Sequence, residues 1–333
     1  MGGNHTNITA AEQEKVVPSL VLIVGIASVI FNGALLIVMT FNSRQVFASL
    51  GSYFIFNLAI ADFITGVNSI VYAVEQFLPP SAFSAQARMG LLTIFWITVQ
   101  VSFFTIFVMS TERLVAVVFP FKAAGIMSKK KTTIYCIAVW IISIVCGSLI
   151  NTTTRKVQLG LTIIFELVIV CIVIEYFQVF RQLRVLWQSS KTRAVYNGHN
   201  NNEEKPMKNT KTTDLQREYE VTIVVVTLAI VLVITVFPYM IALQIEICYY
   251  LFYTQLPLSH PVVQFSLYYF PIELLNFVVN PVVYAWRLPK YRKAFLTTFG
   301  FEKGRNLSCN SNGSPKTQRT TCTTENRQMA LLK

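Results

Sequence analysis

Four carboxylates, Asp62, Glu166, Glu175 and Glu273, lie inside stretches that are otherwise apolar. A central aspartate costs roughly 2.5–3.5 kcal/mol to insert into hydrocarbon, so each of these groups needs a partner or a task. Glu273, Asn276 and Asn280 stand at i, i+3 and i+7, one stripe down a helical face that continues to Tyr284. Ser102 precedes Arg113 by about three helical turns, which puts both on one face. Three chemistries follow from such a set. Buried carboxylates can relay protons or cations. The adjacent Glu112 and Arg113, with Glu218 as a further counter-ion, can form an ion pair at a helix end; Arg113 can equally snorkel to the interface. Pro238, twenty residues after Glu218, breaks a backbone ladder and kinks its helix, so the ion pair and the kink together make a two-state element. Metal-dependent hydrolysis has no ligands to draw on, because the three histidines, His5, His199 and His260, form no cluster.

The elements that must hold these residues are membrane spans. The 333 residues are 53% hydrophobic and only 13% charged, about half the charge of a soluble domain. Apolar blocks at 16–38, 90–109, 133–150, 159–173, 221–245 and 262–283 approach or exceed the roughly 18 residues of a membrane span. Seven helices are expected, at 16–41, 49–77, 88–118, 132–151, 157–186, 217–247 and 261–286. Asn57, Asp62, Asn68 and Glu75 interrupt the second without ruling it out, because a span that faces other helices can carry them. The fold class is therefore an all-α membrane protein, a seven-transmembrane bundle. Pro289–Phe299 reads as a short amphipathic eighth helix, with Tyr291 and Phe295 on one face and Lys290, Arg292 and Lys293 reaching for lipid headgroups.

Charge placement sets the orientation. Of the lysines and arginines, only Lys15, Arg88, Arg155 and Lys156 fall on the side of the N-terminus; the rest lie on the opposite side. That asymmetry puts the N-terminus outside and the C-terminus in the cytoplasm, as expected of a multi-pass plasma-membrane protein. The net charge of +12 is thus a topology signal, and no nucleic-acid partner is needed. Residues 1–15 form an extracellular segment without a cleavable signal peptide, 16–299 the membrane domain and 300–333 a disordered cytoplasmic tail. Asn4 and Asn7 begin glycosylation sequons on the outer face. Residues 188–216, rich in Asn, Lys and Thr, are expected to be a mobile loop. The six cysteines make no disulfide framework, since only Cys248 is placed outside.

One short signature in each of seven consecutive spans carries a resemblance over about residues 16–299. These are Asn32-Gly33, Leu58-Ala-Ile-Ala-Asp62, Glu112-Arg113-Leu114, Trp140, Tyr176, Phe237-Pro238-Tyr239 and Asn280-Pro281-Val-Val-Tyr284, followed by Tyr291-Arg-Lys-Ala-Phe295. The set resembles the rhodopsin-like (class A) G-protein-coupled receptors. The resemblance implies a receptor that binds an extracellular ligand and activates a heterotrimeric G protein when the cytoplasmic end of span six opens. Arg113 would be tied to Glu112 and Glu218 at rest, then released toward Tyr176, Tyr284 and the G protein. Asp62, Ser102, Asn276 and Asn280 match the family's internal sodium pocket, and their hard oxygens suit such a cation; a hydrogen-bonded network without an ion is the other reading. No other cofactor is implied. Ser308, Ser311, Ser314, Thr317, Thr320 and Thr321 look like receptor-kinase and arrestin sites, or are simply Ser/Thr-rich tail.

Departures from the family pattern are as informative. Arg88 stands where span three usually begins with a disulfide cysteine, the second outer loop is very short, Val168 replaces a span-five proline and Val236 the usual span-six tryptophan. The short loop, absent disulfide and absent proline look like the melanocortin-type branch, whereas Asn280-Pro281 departs from it. The ligand pocket expected from the family is lined by Tyr72, Phe95, Trp96, Val99, Gln100, Glu166, Tyr239, Gln244 and Glu273. Phe95 in place of an aspartate disfavours a biogenic amine, and Leu274 in place of a lysine excludes covalent retinal. Glu166, Glu246 and Glu273 give an acidic bias that suits a cationic peptide or polar cation, and the aromatic wall suits a lipid-like ligand. The rival class is a cation- or proton-coupled transporter using Asp62, Glu166, Glu175 and Glu273, against which stands the lack of an internal repeat. An enzyme is not expected.

Overall fold

The computed structural model of the chain describes residues 10–152, 154–200, 208–253 and 256–300. Asn4, Asn7 and the tail serines and threonines lie outside the described residues. Seven long helices carry the spans: α1 (Ala10–Phe41), α3 (Gly51–Phe77), α4 (Ala85–Val118), α6 (Lys129–Thr152), α7 (Arg155–Asn200), α8 (Lys208–Phe252) and α9 (Pro261–Arg287). Each contains a segment long and apolar enough to cross a membrane. Three short helices join or follow them, α2 (Ser43–Val46), α5 (Pro120–Ile126) and α10 (Pro289–Thr298). The expected spans thus agree with the helices to within a few residues at most ends.

Proline sets three of the boundaries. Phe119, His260 and Leu288 each precede a proline, which disfavours the helical conformation, and each leaves it: Phe119 at φ −125, ψ 56, His260 at φ −67, ψ 136 and Leu288 at φ −102, ψ 108. The following proline then opens the next helix, where its missing N–H is no loss. The Ser84 hydroxyl caps α4 by accepting the Ala87 N–H at 3.2 Å.

One expectation is overturned. Residues 188–216 are helical wherever they are described, as the ends of α7 and α8. Polarity removes a segment from the bilayer without removing its helix propensity. Lys, Arg and Gln in it are good helix formers, and adding turns to a helix already nucleated in the membrane avoids the unfavourable first turn, which offsets the weaker Asn, Ser and Thr.

Within the bundle, α3 and α4 are central, with 61% and 56% of their apolar windows buried against 22% for α6 and α7. The helix α4 touches α3, α6, α7 and α8, and α1 packs on both α3 and α9. Glycine lets two of these pairs approach. A Cβ on Gly66 of α3 would stand 3.0 Å from the Ser28 Cβ of α1, and one on Gly147 of α6 would stand 2.8 Å from the Ile97 backbone nitrogen of α4.

Of the four internal prolines, two leave carbonyls whose missing helical N–H is replaced by a side-chain donor from another helix. Pro281 frees the Phe277 carbonyl, which accepts from the Asn32 amide of α1 at 2.9 Å. Pro238 frees the Ile234 carbonyl, which accepts from the Tyr269 hydroxyl of α9 at 2.6 Å. The interruptions that weaken α8 and α9 along their length therefore join them to their neighbours.

The face of α10 is turned as expected, with Tyr291 buried, but Lys290 does not reach outward. Its Nζ donates to Ser49 at 2.5 Å and Ser52 at 2.8 Å, and Tyr291 bonds Ser52 at 3.0 Å. Burial pushes the Tyr291 hydroxyl above the ordinary phenol range, with the bond to Ser52 opposing it. Pairing with two hydroxyls on a neighbouring element holds the Lys290 ammonium against the bundle, leaving Arg292 and Lys293 as the exposed cations.

Candidate functional site

Polar side chains from six of the seven long helices meet in three zones along the bundle. At the end that carries Arg113, that residue is buried at the foot of α4 and makes a two-pronged pair with Glu112: its Nε donates to Glu112 Oε2 at 2.6 Å and its Nη2 to Oε1. Such a fork on one carboxylate fixes geometry as well as charge. Tyr176 of α7 and Tyr284 of α9 are buried with no hydrogen-bond partner for either hydroxyl among the described residues. Tyr176 is an electrostatic neighbour of Arg113. The expected second tie to Glu218 lies outside the described side chains, although Glu218 itself lies in α8.

A residue assigned only to a carrier path has a different place. Glu175, just before Tyr176, takes a hydrogen bond from Thr111 Oγ1 at 2.8 Å and another from the Ser110 hydroxyl. Its carboxylate thus binds α7 to α4 immediately beside the Glu112–Arg113 pair. Two consecutive hydroxyl residues before Glu112 were the only sequence signal.

Deeper in the bundle, Asn57 joins three helices. Its amide donates to Thr105 of α4 at 2.8 Å, and its carbonyl oxygen accepts from the Trp140 indole of α6 at 2.8 Å. One turn and a fraction further along α3, Asp62 Oδ2 accepts from Asn280 of α9 at 2.7 Å. Ser102 neighbours the same carboxylate. Asp62 Oδ1, Ser102 Oγ, Asn276 Oδ1 and Asn280 Oδ1 are all buried and have no hydrogen-bond partner among the described residues. Four hard oxygen atoms with free lone pairs, one of them from a carboxyl group, form a donor set that fits a small hard cation. No group of three His, Cys, Asp or Glu able to hold a metal occurs among the described residues.

The third zone is a cavity of about 530 Å³ at the end of the bundle away from Arg113. Of the residues expected to line a pocket, Tyr72, Phe95, Trp96 and Tyr239 do so. Val99, Gln100, Glu166, Gln244 and Glu273 lie off its wall; Gln100 and Glu273 are fully buried, with no hydrogen-bond partner for their side-chain polar atoms among the described residues. On α4 and α9 depth along the helix decides this. Residues one or two turns further down α4 and α9 share the expected face but sit below the floor. Sequence reading missed Asn68, Phe270 and Ser266. It also missed that Arg88 bridges to Glu75, Nε to Oε1 at 2.6 Å, and donates to the Pro80 carbonyl at 2.6 Å. The position lacking the usual cysteine therefore ties α4 to α3 and to their loop by charge.

No curated protein matches the chain. Residues 32–160 match the model of the 7 transmembrane receptor (rhodopsin family). Among solved structures, squid rhodopsin is similar at 19% identity, with a TM-score of 0.70, over 87% of this chain and 86% of that one. The fold is thus that of squid rhodopsin. The seven apolar helices share that fold, and residues 32–160 among them match the model of the rhodopsin family.

Proposed function

We propose that the chain is a plasma-membrane receptor that takes an extracellular ligand in the 530 Å³ cavity and activates a heterotrimeric G protein by opening the far end of α8. The observation that carries this is Arg113, buried at the end of the central helix α4 and forked onto Glu112, with the Tyr176 and Tyr284 hydroxyls buried and without partners. Release of that fork exposes a cation and offers it two phenols, a switch between two arrangements of the same buried charge. Pro238 gives α8 its flexible point, and the lysine and arginine asymmetry orients the N-terminus outward. Asp62, Ser102, Asn276 and Asn280 would hold a sodium ion, which supplies positive charge between α3, α4 and α9 and favours the resting packing. The Ser/Thr-rich tail would serve a receptor kinase and arrestin.

The test is nucleotide exchange measured with dissociation sensors for several heterotrimers in cells. Glu112→Gln and Glu218→Ala are each expected to raise basal exchange, and Arg113→Ala to abolish it. Wild type and all three variants silent on every heterotrimer, at normal surface expression, would overturn the reading.

A further inference from the structure

Three donors described in the cavity wall are already committed. The Arg88 guanidinium is held by Glu75 and the Pro80 carbonyl. The Ser69 hydroxyl donates to the Thr65 carbonyl at 2.8 Å, and the Ser266 hydroxyl to Glu246 Oε1 at 2.5 Å. The acceptors are not matched in the same way. Asn68 Oδ1 is buried in the wall without a partner among the described residues, and Asn68 is only 6% exposed. Glu246 takes the one serine hydrogen bond and has no ion-pair partner among the described residues. Arg155 faces Glu246 across an adjoining recess of about 210 Å³, yet its guanidinium lies over the Tyr250 ring at 5.0 Å.

The remaining wall is aromatic and centred on Phe270, whose ring lies 5.9 Å from Tyr72, 5.6 Å from Phe95 and 6.0 Å from Tyr239. Aromatic faces in a partly desolvated pocket attract a cation and reject an anion. A cavity of this size holds a drug-sized molecule.

We infer that the ligand is an amphiphilic organic cation. Its charged nitrogen pairs with Glu246 on α8, its apolar body lies among the rings around Phe270, and a second hydrogen-bond donor reaches Asn68. Anchoring from α8 accounts for Phe95 on α4, which supplies a ring where an acid would otherwise hold an amine. This rests on reading the cavity as the receptor's ligand site.

The test uses the full chain in detergent and four probes: hydroxyphenylpropylammonium, its trimethylammonium derivative, the neutral alcohol of the same length and the matching carboxylate. Binding is read by thermal stabilisation and by quenching of tryptophan fluorescence, to which Trp96 in the wall contributes. Both cations are expected to bind at least about tenfold tighter than the alcohol, since a charge-assisted contact outweighs a neutral one by that order. Glu246→Gln is expected to erase the difference while leaving alcohol binding unchanged. Equal binding of cation and alcohol, preference for the carboxylate, or no stabilisation by either cation up to millimolar concentration would each overturn the inference. The order of the four probes on the wild type decides the matter even if the variant fails to fold. Cation binding by a chain that, with its latch variants, stays silent on every heterotrimer would leave the ligand class standing and sink the receptor reading instead.

Discussion

The foot of the bundle and its middle treat buried carboxylates differently. Around Arg113 the described carboxylates are satisfied: Glu112 holds a bidentate arginine, and Glu175 takes two hydroxyl donors from α4. Around Asp62, four buried oxygens have no hydrogen-bond partner among the described residues. Satisfied groups in low dielectric lock one arrangement of helices, whereas unsatisfied ones raise the energy of that arrangement until something else binds. The first pattern suits a latch and the second a binding site. The cavity shares the second pattern through Asn68 and Glu246.

Four substitutions at three places probe that contrast. The largest effect is expected at the latch. Arg113→Leu leaves the Glu112 carboxylate buried without its fork, which costs about 3–5 kcal/mol when one member of a buried pair is removed; thermal unfolding in detergent should show a drop of many degrees, and a shift of only a degree or two would mean that the pair is solvated. An intermediate effect is expected at the bridge. Asn57→Leu removes two interhelical hydrogen bonds and strands the Trp140 indole N–H. Bonds of this kind in membranes average about 0.6 kcal/mol with a maximum near 1.7, so a loss of about 1–3 kcal/mol is expected. Trp140→Phe, made in the same background, should then add almost nothing, and full additivity would contradict the bridge. The smallest effect is expected where nothing is satisfied. Asn276→Leu should change stability in potassium by less than about 0.5 kcal/mol, because it deletes an oxygen with no partner. Stabilisation by sodium over potassium is expected in the wild type and should vanish in that variant; if it persists, the four oxygens are not the cation site.

How far the sequence reached depends on the kind of contact. Glu112 and Arg113 are adjacent in the chain, so their pairing was legible. The Asp62–Asn280 contact and the stripe through Glu273, Asn276 and Tyr284 were legible as faces, because a period of 3.6 says which residues look inward. Glu175 was misplaced for a reason periodicity cannot repair: its helix is mostly lipid-facing, and only the rotation of α7 against α4 sets it opposite Ser110 and Thr111. The expected loop over 188–216 failed because composition reports affinity for the bilayer, and a helix does not end where the bilayer does.

By itself the sequence determined the seven spans, the prolines that end or interrupt them and which residues face inward, since hydropathy and helical period are local properties of the chain. The tertiary structure decided which inward residues touch. It set the Tyr269 hydroxyl on the carbonyl freed by Pro238, tied Arg88 to Glu75 in place of a disulfide cysteine, and left the acceptors Asn68 and Glu246 in the cavity wall. Those contacts depend on helix rotation and depth, which packing between helices fixes and no single helix encodes.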